Sequence, residues 1–396
     1  MHSWALYDCI AFGRGARVRA LVIGGGVIGA AVAFRLAEVG APVLLVEAGR
    51  IAEGTSLVSF AWVSACEKVD CDDYYRLSLA GVRAHQELAE ELGSQGTWYR
   101  RPGVIQWRKA QYEGGGLADQ PTDQKLARLQ ALGYPAEAIG PEDLRRLEPN
   151  LKAGAISDAD WAIHYPQDGY IEAPIFIGAL LRAAAERHGA EIRTGTPVRE
   201  VLLEGGRAVG VVTASGERIY ADVVVNCAGR WVNDVVGHDE LKVPLAPTLG
   251  LIAYTPPVAN AIGKVLRTPN LNVRPDGGGR LLLRANDLDE DLSDGDRPST
   301  SHPAAHALAE RLGGLVPALR GIAAEAVRIA TRPIPRGGLP CVGSIPGVGN
   351  YWVAVTHGGI NTSAFIGLAL RDEILHGRPA PEYASYRPER FFKAAA

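Results

Sequence analysis

The sequence predicts an α/β fold in which two strand–glycine–helix junctions, one near each end, flank β-rich α+β material. Three observations predict it. Residues 18–23 form an apolar run without polar alternation, and they turn through Gly24-x-Gly26-x-x-Gly29 into a small-residue helix over 27–39. Residues 351–355 form a second apolar strand that passes His357-Gly358-Gly359 into an apolar helix reaching about Leu375, with Gly377 beyond its end. Residues 241–256 and 271–284, broken by Asp276-Gly-Gly-Gly279, are strand-rich and unlike either flank.

The first junction is a Rossmann-type βαβ signature. Gly24 permits the tight turn, Gly26 lets a pyrophosphate approach the backbone, and Gly29 lets the helix pack close to the strand. The helix start offers unpaired N–H groups and a partial positive charge to a phosphate. Gly40 closes the helix, and a second strand over 42–46 runs into Glu47, whose carboxylate is suited to ribose hydroxyls. The second junction creates another positive helix end, aimed where an anionic part of a cofactor could sit.

Residues 48–65 are an irregular loop in which Thr55, Ser56 and Ser59 supply hydroxyls and Phe60 and Trp62 need cover. Residues 72–92 are an amphipathic helix, with Leu77, Leu79, Val82, Leu88 and Leu92 as its apolar positions. Residues 98–109 read as a strand pair turning at Arg101-Pro102-Gly103, and 111–122 as a surface loop. Helices are expected over 124–132 and 141–147. Residues 162–174 read as a hairpin-like run ending at Pro174, which suits the first turn of a helix over 175–188. Strands follow at 191–193 and 198–203, then a hairpin of 209–214 with 218–220 about Ser215-Gly216. Val223 to Val225 is a buried strand leading into Cys227-Ala228-Gly229, small residues that admit a ligand near the backbone or simply end a strand. Residues 287–303 are read as an acidic, polar loop, and 306–315 as a helix.

Composition narrows the function classes. The 396 residues allow two domains with ample core. A net charge of −3 with 21% charged residues gives no nucleic-acid or polybasic membrane surface. The five cysteines (Cys9, Cys66, Cys71, Cys227, Cys341) contain no C-x-x-C, so a reduced, cytoplasmic protein without a disulfide frame or metal site is expected. The longest uncharged apolar stretch, 20–34, is too short and glycine-rich to span a bilayer. Residues 1–16, interrupted by Asp8, are read as an N-terminal extension rather than a signal peptide.

Four motifs in order resemble the D-amino-acid oxidase family of FAD-dependent oxidoreductases, which includes glycine oxidase, sarcosine oxidases and D-amino-acid dehydrogenases. They are Gly24 to Gly29 with Glu47; Thr55-Ser56-x-x-Ser59; Val225-Asn-Cys-Ala-Gly229 followed by Trp231; and Arg332-Pro333 to Val342-Gly343 with His357-Gly358-Gly359. The resemblance covers about 17–387. It implies a discontinuous FAD-binding domain (17–75, 150–235 and 325–396) and a substrate-binding domain (76–149 and 236–324).

The resemblance also implies site roles. Gly24, Gly26, Val27, Ile28 and Gly29 would border the pyrophosphate; Glu47 and Ala48 would meet the adenosine ribose, with Arg50 near the adenine side. Thr55, Ser56 and Ser59 would run along the pyrophosphate and ribityl chain. Val198 would meet the adenine through its backbone, and Ala228 and Gly229, followed by Trp231, would border the phosphates. His357, Gly358, Gly359, Ile360, Asn361 and Thr362 would cap the flavin N1–C2=O edge, where a helix dipole favours the anionic reduced ring. Arg332 matches the family's carboxylate anchor, a planar fork suited to a carboxylate. Tyr254 is a candidate helper on the strand expected to cover the substrate. Two departures stand out: Ser59 where dehydrogenase-like relatives often have asparagine, and the large Trp62. Cys341 lies in a Pro-x-x-Gly turn rather than at the position of a flavin link, so FAD is expected to be non-covalent.

The implied activity is FAD-dependent oxidation of the C–N bond of an α-amino or secondary amino acid: hydride from Cα to flavin N5, then hydrolysis of the imine to an oxo acid and an amine. Electrons would pass to O2 or another acceptor. Open alternatives are an oxidase of an amine lacking a carboxylate and a non-catalytic FAD-binding subunit of a dehydrogenase complex. A nicotinamide dehydrogenase has no use for the second glycine–helix junction.

Overall fold

A computed structural model of the chain describes residues 18–93, 96–107, 122–156, 161–259 and 261–392. The expected extension 1–16 and most of the expected loop 111–122 lie outside these residues. The chain forms two compact units. The first holds the chain up to Glu53, Ile177–Ala246 and Pro333 onwards; the second holds Gly54–Phe176 and Pro247–Arg332.

The first unit is built on a six-stranded sheet in the order Cys341–Ser344, Tyr351–Val355, Val223–Asn226, Ala20–Ile23, Val43–Val46, Glu191–Arg193. Its pairings are parallel except at the edge strand Cys341–Ser344. The central strands are continuous apolar runs because both faces are covered: Ala20 to Ile23 and Val223 to Asn226 are buried throughout. The register places Val22 beside both Val225 and Leu45. Helices Val27–Glu38 and Gly359–His376 pack on one another and run the same way. A Cβ at Gly359 would lie 3.3 Å from Ile28 Cδ1, and one at Gly367 would lie 2.7 Å from the Ala31 carbonyl oxygen. Further along, Arg371 donates to Glu38 at 3.0 Å. A three-stranded antiparallel sheet, Val198–Glu204, Arg207–Thr213 and Arg218–Tyr220, contains the expected hairpin.

The second unit is built on an eight-stranded sheet in the order Ala326–Arg332, Thr248–Tyr254, Arg280–Arg284, Asn272–Asp276, Val265–Arg267, Val104–Gln106, Ala162–Tyr165, Glu137–Ile139. Side chains alternate between its faces. Leu251, Ala253, Leu281 and Leu283 pack with Leu308 and Leu312 of the helix Pro303–Leu315. Ile252, Tyr254 and Leu282 pack on the opposite face with Phe60, Tyr75, Tyr134 and Tyr170.

Several local expectations are corrected. Strands Tyr99–Arg100 and Val104–Gln106 do not pair with each other, and neither do Ala162–Tyr165 and Gly169–Ile171. Tyr99–Arg100 and Gly169–Ile171 belong to a small sheet with Trp62–Val63, while the other two are neighbours in the eight-stranded sheet. Each turn is therefore a corner between sheets, and Gly103 N–H donates to the Asp168 carbonyl at 3.1 Å to tie the corners together. The expected loop 287–303 begins inside a short helix, Asn286–Glu290, and Val265–Arg267 is a strand that the sequence reading passed over.

The compact units break at 53/54, 176/177, 246/247 and 332/333, where breaks were expected near 75, 149, 235 and 324. Packing accounts for the shift. Phe60, Ala65, Cys66, Val69 and Tyr75 belong to the tyrosine-rich core of the second unit. Ala162–Tyr165 is a strand of its sheet, and Ala326–Arg332 pairs with Thr248–Tyr254 over seven residue pairs. Val236, Leu241 and Val243 instead pack with Leu21 and Val224 in the first unit.

Candidate functional site

In the first unit, the strand Ala20–Ile23 ends at Gly24, whose φ of +106° only glycine adopts without strain, and the helix starts at Val27. A Cβ on Gly29 would lie 1.9 Å from the Gly24 carbonyl oxygen, so helix and strand are as close as a backbone without side chains allows. The Glu47 carboxylate accepts from Gly25 N–H at 2.7 Å and from Gly49 N–H at 2.9 Å, which fixes it at the mouth of the junction, with Ala48 the residue between Glu47 and Gly49.

Both parallel helices begin at glycine, Gly26 and Gly358, with no side-chain cap and no acid in the first turn. Helix starts normally satisfy their first N–H groups with a Ser, Thr, Asp or Asn cap. Here two starts with glycine at the N-cap stand side by side, Gly359 against Ile28. That arrangement suits a ligand with two separated electron-rich parts. His357 is exposed just ahead of the second start; Thr362 is turned back, its hydroxyl donating to the Gly358 carbonyl at 3.0 Å. Ile360 and Asn361 complete that first turn.

The 226–232 segment is held by a residue the sequence reading did not single out. Asn226 is fully buried, donates to the Val232 carbonyl at 2.8 Å and to the Tyr351 hydroxyl at 2.9 Å, and accepts from Ala228 N–H at 3.1 Å. A polar residue closing an otherwise apolar buried strand was the available signal. Gly229 has φ +57°, and Trp231 is 38% exposed beneath the Arg230 guanidinium. Val198 opens its strand opposite Thr213. Arg50 is almost wholly in solvent, paired with Glu53 at 3.1 Å.

The other predicted residues fall in the second unit. Thr55 donates its hydroxyl to the Thr331 carbonyl at 2.8 Å, and Ser59 Oγ accepts from Ala61 N–H at 3.0 Å. Ser56 and Ser59 line a cavity of about 200 Å³ together with Tyr254, Arg274, Arg280 and Arg328. Its floor is one face of the eight-stranded sheet, because Arg274 pairs with Leu282, Arg280 with Asp276, and Arg328 with Ile252 in register. Burial, and then Asp276 nearby, push the Tyr254 phenol upward against the opposing pull of Arg274, Arg328 and Arg280; it is held as a neutral donor.

Arg332 is not among the described residues lining this cavity. Its Cα lies opposite Thr248, six residues from Tyr254 on the neighbouring strand. The guanidinium folds back, however. A Cβ on Gly250 would lie 2.3 Å from Arg332 Nη2, so the head crosses the strand where glycine leaves room. It reaches Asp289, which sits where strand Arg280–Arg284 pairs with Thr248–Tyr254 only at residues 253 and 254. Asp289 is buried; it also accepts from Leu251 N–H at 2.8 Å and from Arg284 Nη2 at 2.9 Å. Two guanidinium groups thus share one carboxylate, leaving one positive charge over. Among the described residues, only Nη2 of Arg332 has a hydrogen-bond partner.

Sequence reading missed Arg328, Arg274 and Arg280. The period of two was the signal for the first, since Arg328 and Arg332 share a strand face.

Among the described residues no His, Cys, Asp or Glu cluster is placed to hold a metal ion, and no helix is long and apolar enough to cross a membrane.

Comparison with known proteins completes the picture. The model of the FAD dependent oxidoreductase family matches residues 19–373. Mitochondrial pyruvate dehydrogenase phosphatase regulatory subunit of Mus musculus is 27% identical over 68% of this chain, which spans only 29% of that protein. Glycine oxidase of Geobacillus kaustophilus (strain HTA426) is 26% identical, over 92% of this chain and 95% of the enzyme. The crystal structure of glycine oxidase from Geobacillus kaustophilus matches with a TM-score of 0.81 at 24% identity, covering 94% of this chain and 99% of that one. The chain therefore belongs to the FAD dependent oxidoreductase family, and its cofactor is FAD.

Proposed function

We propose that this protein oxidises the C–N bond of an amino acid or secondary amino acid. In this reading the first unit holds FAD non-covalently: the N–H groups from Gly26 to Gly29 meet the diphosphate, Glu47 takes the ribose hydroxyls, and the start at Gly358–Thr362 meets the flavin ring edge. Bound FAD supplies the two-electron acceptor for the C–H bond next to nitrogen. The second unit holds the substrate. Arg332 meets its carboxylate through donors other than the Nη2 that Asp289 occupies. Tyr254, held neutral, donates its hydroxyl at the cavity. These residues bind and orient, and no general base is assigned. Water then hydrolyses the imine to an oxo acid and an amine.

The observation that carries this reading is the folded-back guanidinium of Arg332. Its head is placed by Gly250 and Asp289, and its donors other than Nη2 lie on the sheet face of Tyr254. One observation favours a second reading: Asp289 already offers Arg332 a carboxylate, as expected were the substrate an amine without one. One experiment separates them. Flavin absorbance is followed anaerobically against D- and L-amino acids, glycine, sarcosine and matching amines, for the wild type and Arg332→Ala. The amino-acid reading expects the variant to raise KM for carboxylate substrates at least tenfold more than for amines. Equal effects refute the anchor. Peroxide detection in air separates oxidase from dehydrogenase.

A further inference from the structure

We propose that Arg328 forms a second anion subsite, so that the substrate class is an amino acid carrying a second acidic group. This rests on the reading that the second unit receives the substrate of an amino-acid-oxidising enzyme.

The charges in the cavity lining carry the inference. Asp276 is matched twice, by Arg274 Nη1 at 3.2 Å and by Arg280 Nη2 at 3.0 Å. Glu172 is matched by Arg100 Nε at 3.0 Å. Arg274 is 4% exposed and is further spent on the Phe60 carbonyl at 2.8 Å and the Pro275 carbonyl at 2.7 Å, so it braces the cavity rather than serving it. Arg328 lines the same cavity and, among the described residues, has no hydrogen-bond or ion-pair partner. Among the described residues, Arg328 is therefore the arginine of this lining with neither a carboxylate nor a carbonyl partner.

Its spacing from the proposed carboxylate anchor follows from the register. Gly250 pairs with Ala330, Ile252 with Arg328, and Tyr254 with Ala326, all on one face of the sheet. The Arg332 head rests over the first row, Arg328 stands in the second, and Tyr254 in the third. Successive rows on one face are about 7 Å apart. The backbone of Arg328 stands one row from the row that the Arg332 head covers, with Tyr254 on the next row, and that order fits a short molecule with a carboxylate near each end. Arg328 is exposed to solvent, so an acidic group of the substrate would replace water on its guanidinium. A guanidinium recognises a planar carboxylate by a forked pair of hydrogen bonds, and the second acidic group of the test substrates is a carboxylate.

The test uses the FAD-loaded protein. The ratio of kcat/KM for acidic substrates (aspartate and glutamate of both hands, N-(carboxymethyl)glycine) over neutral counterparts (alanine, glutamine, sarcosine) is measured for wild type, Arg328→Met and Arg328→Lys. The wild type favours the acidic set; Arg328→Met lowers that ratio at least tenfold, and Arg328→Lys restores part of it. A wild type that prefers neutral amino acids, or a ratio unmoved in Arg328→Met, overturns the subsite while leaving the amino-acid reading standing. Should no amino acid reduce the flavin, the amino-acid reading itself fails. The subsite is then judged by calorimetric titration of malonate and succinate against propionate. Tighter dicarboxylate binding that Arg328→Met abolishes supports it, and equal binding overturns it.

Discussion

Gly29 is the position where one added methyl group should do most damage to the cofactor site. In Gly29→Ala the new Cβ would stand 1.9 Å from the Gly24 carbonyl oxygen, whereas real Cβ contacts stay above 3.0 Å. Backbone must therefore move by about 1.1 Å, which approaches the 1.5 Å rise of one helical residue. The obstacle is a peptide oxygen at the end of a buried strand, so no rotamer change relieves it. The loss should reach about 3 kcal/mol, the top of the usual range for overpacking. On the proposed placement of FAD, the same shift would withdraw the first-turn N–H groups from the diphosphate, and FAD affinity should fall at least about tenfold, equivalent to 1.4 kcal/mol. The control is Gly178→Ala, exposed within helix Ala173–His188, where an added Cβ meets nothing within 4 Å. It should stabilise by roughly 0.5–1 kcal/mol by removing a flexible residue from a helix interior. The assay is flavin-to-protein stoichiometry by visible absorbance, with chemical denaturation of holo and FAD-free protein. A Gly29→Ala protein that purifies fully loaded and unfolds at the wild-type midpoint would refute the close-packing argument.

Two further perturbations follow. Asp289→Asn removes the carboxylate shared by Arg284 and Arg332, leaving two guanidinium groups without a counterion. Denaturant titration should show a loss of about 3–5 kcal/mol, and a loss below about 1 kcal/mol would mean that water already screens the cluster. Asp168 is buried where the strand Ala162–Tyr165 turns towards Gly169, and burial lifts its carboxyl from 3.8 to about 7 against the Tyr134 hydroxyl that donates to it at 2.6 Å. The native state therefore binds this proton more tightly than the unfolded chain. Its stabilising contribution is complete below about pH 4 and is lost as pH rises through about 7, a change of roughly 4 kcal/mol. Asp168→Asn should flatten the fall in stability between those limits. An unchanged pH profile would show that another group sets the slope.

The elements whose signals are local were legible in the sequence. The Gly24–Gly29 junction, the helix Asp72–Leu92 and the hairpin about Ser215-Gly216 depend on φ angles, on periodicity and on neighbours a few residues away. So do the two glycine-led helix starts, although only the packing of Gly359 on Ile28 brings them side by side. Pairing between distant strands was decided by the tertiary structure. Residues 98–109 and 162–174 each look like a hairpin because a turn separates two apolar runs, yet each turn is a corner between sheets. The site divides in the same way. Arg332 could be named from its motif, but its direction comes from the absence of a side chain on Gly250 and from Asp289 filling a gap between strands. Arg328 emerged as the lining arginine without a partner among the described residues only once Asp276 and Glu172 had found theirs. A sequence lists its charges, whereas which of them remain uncompensated depends on contacts across the sheet, and those exist only after folding.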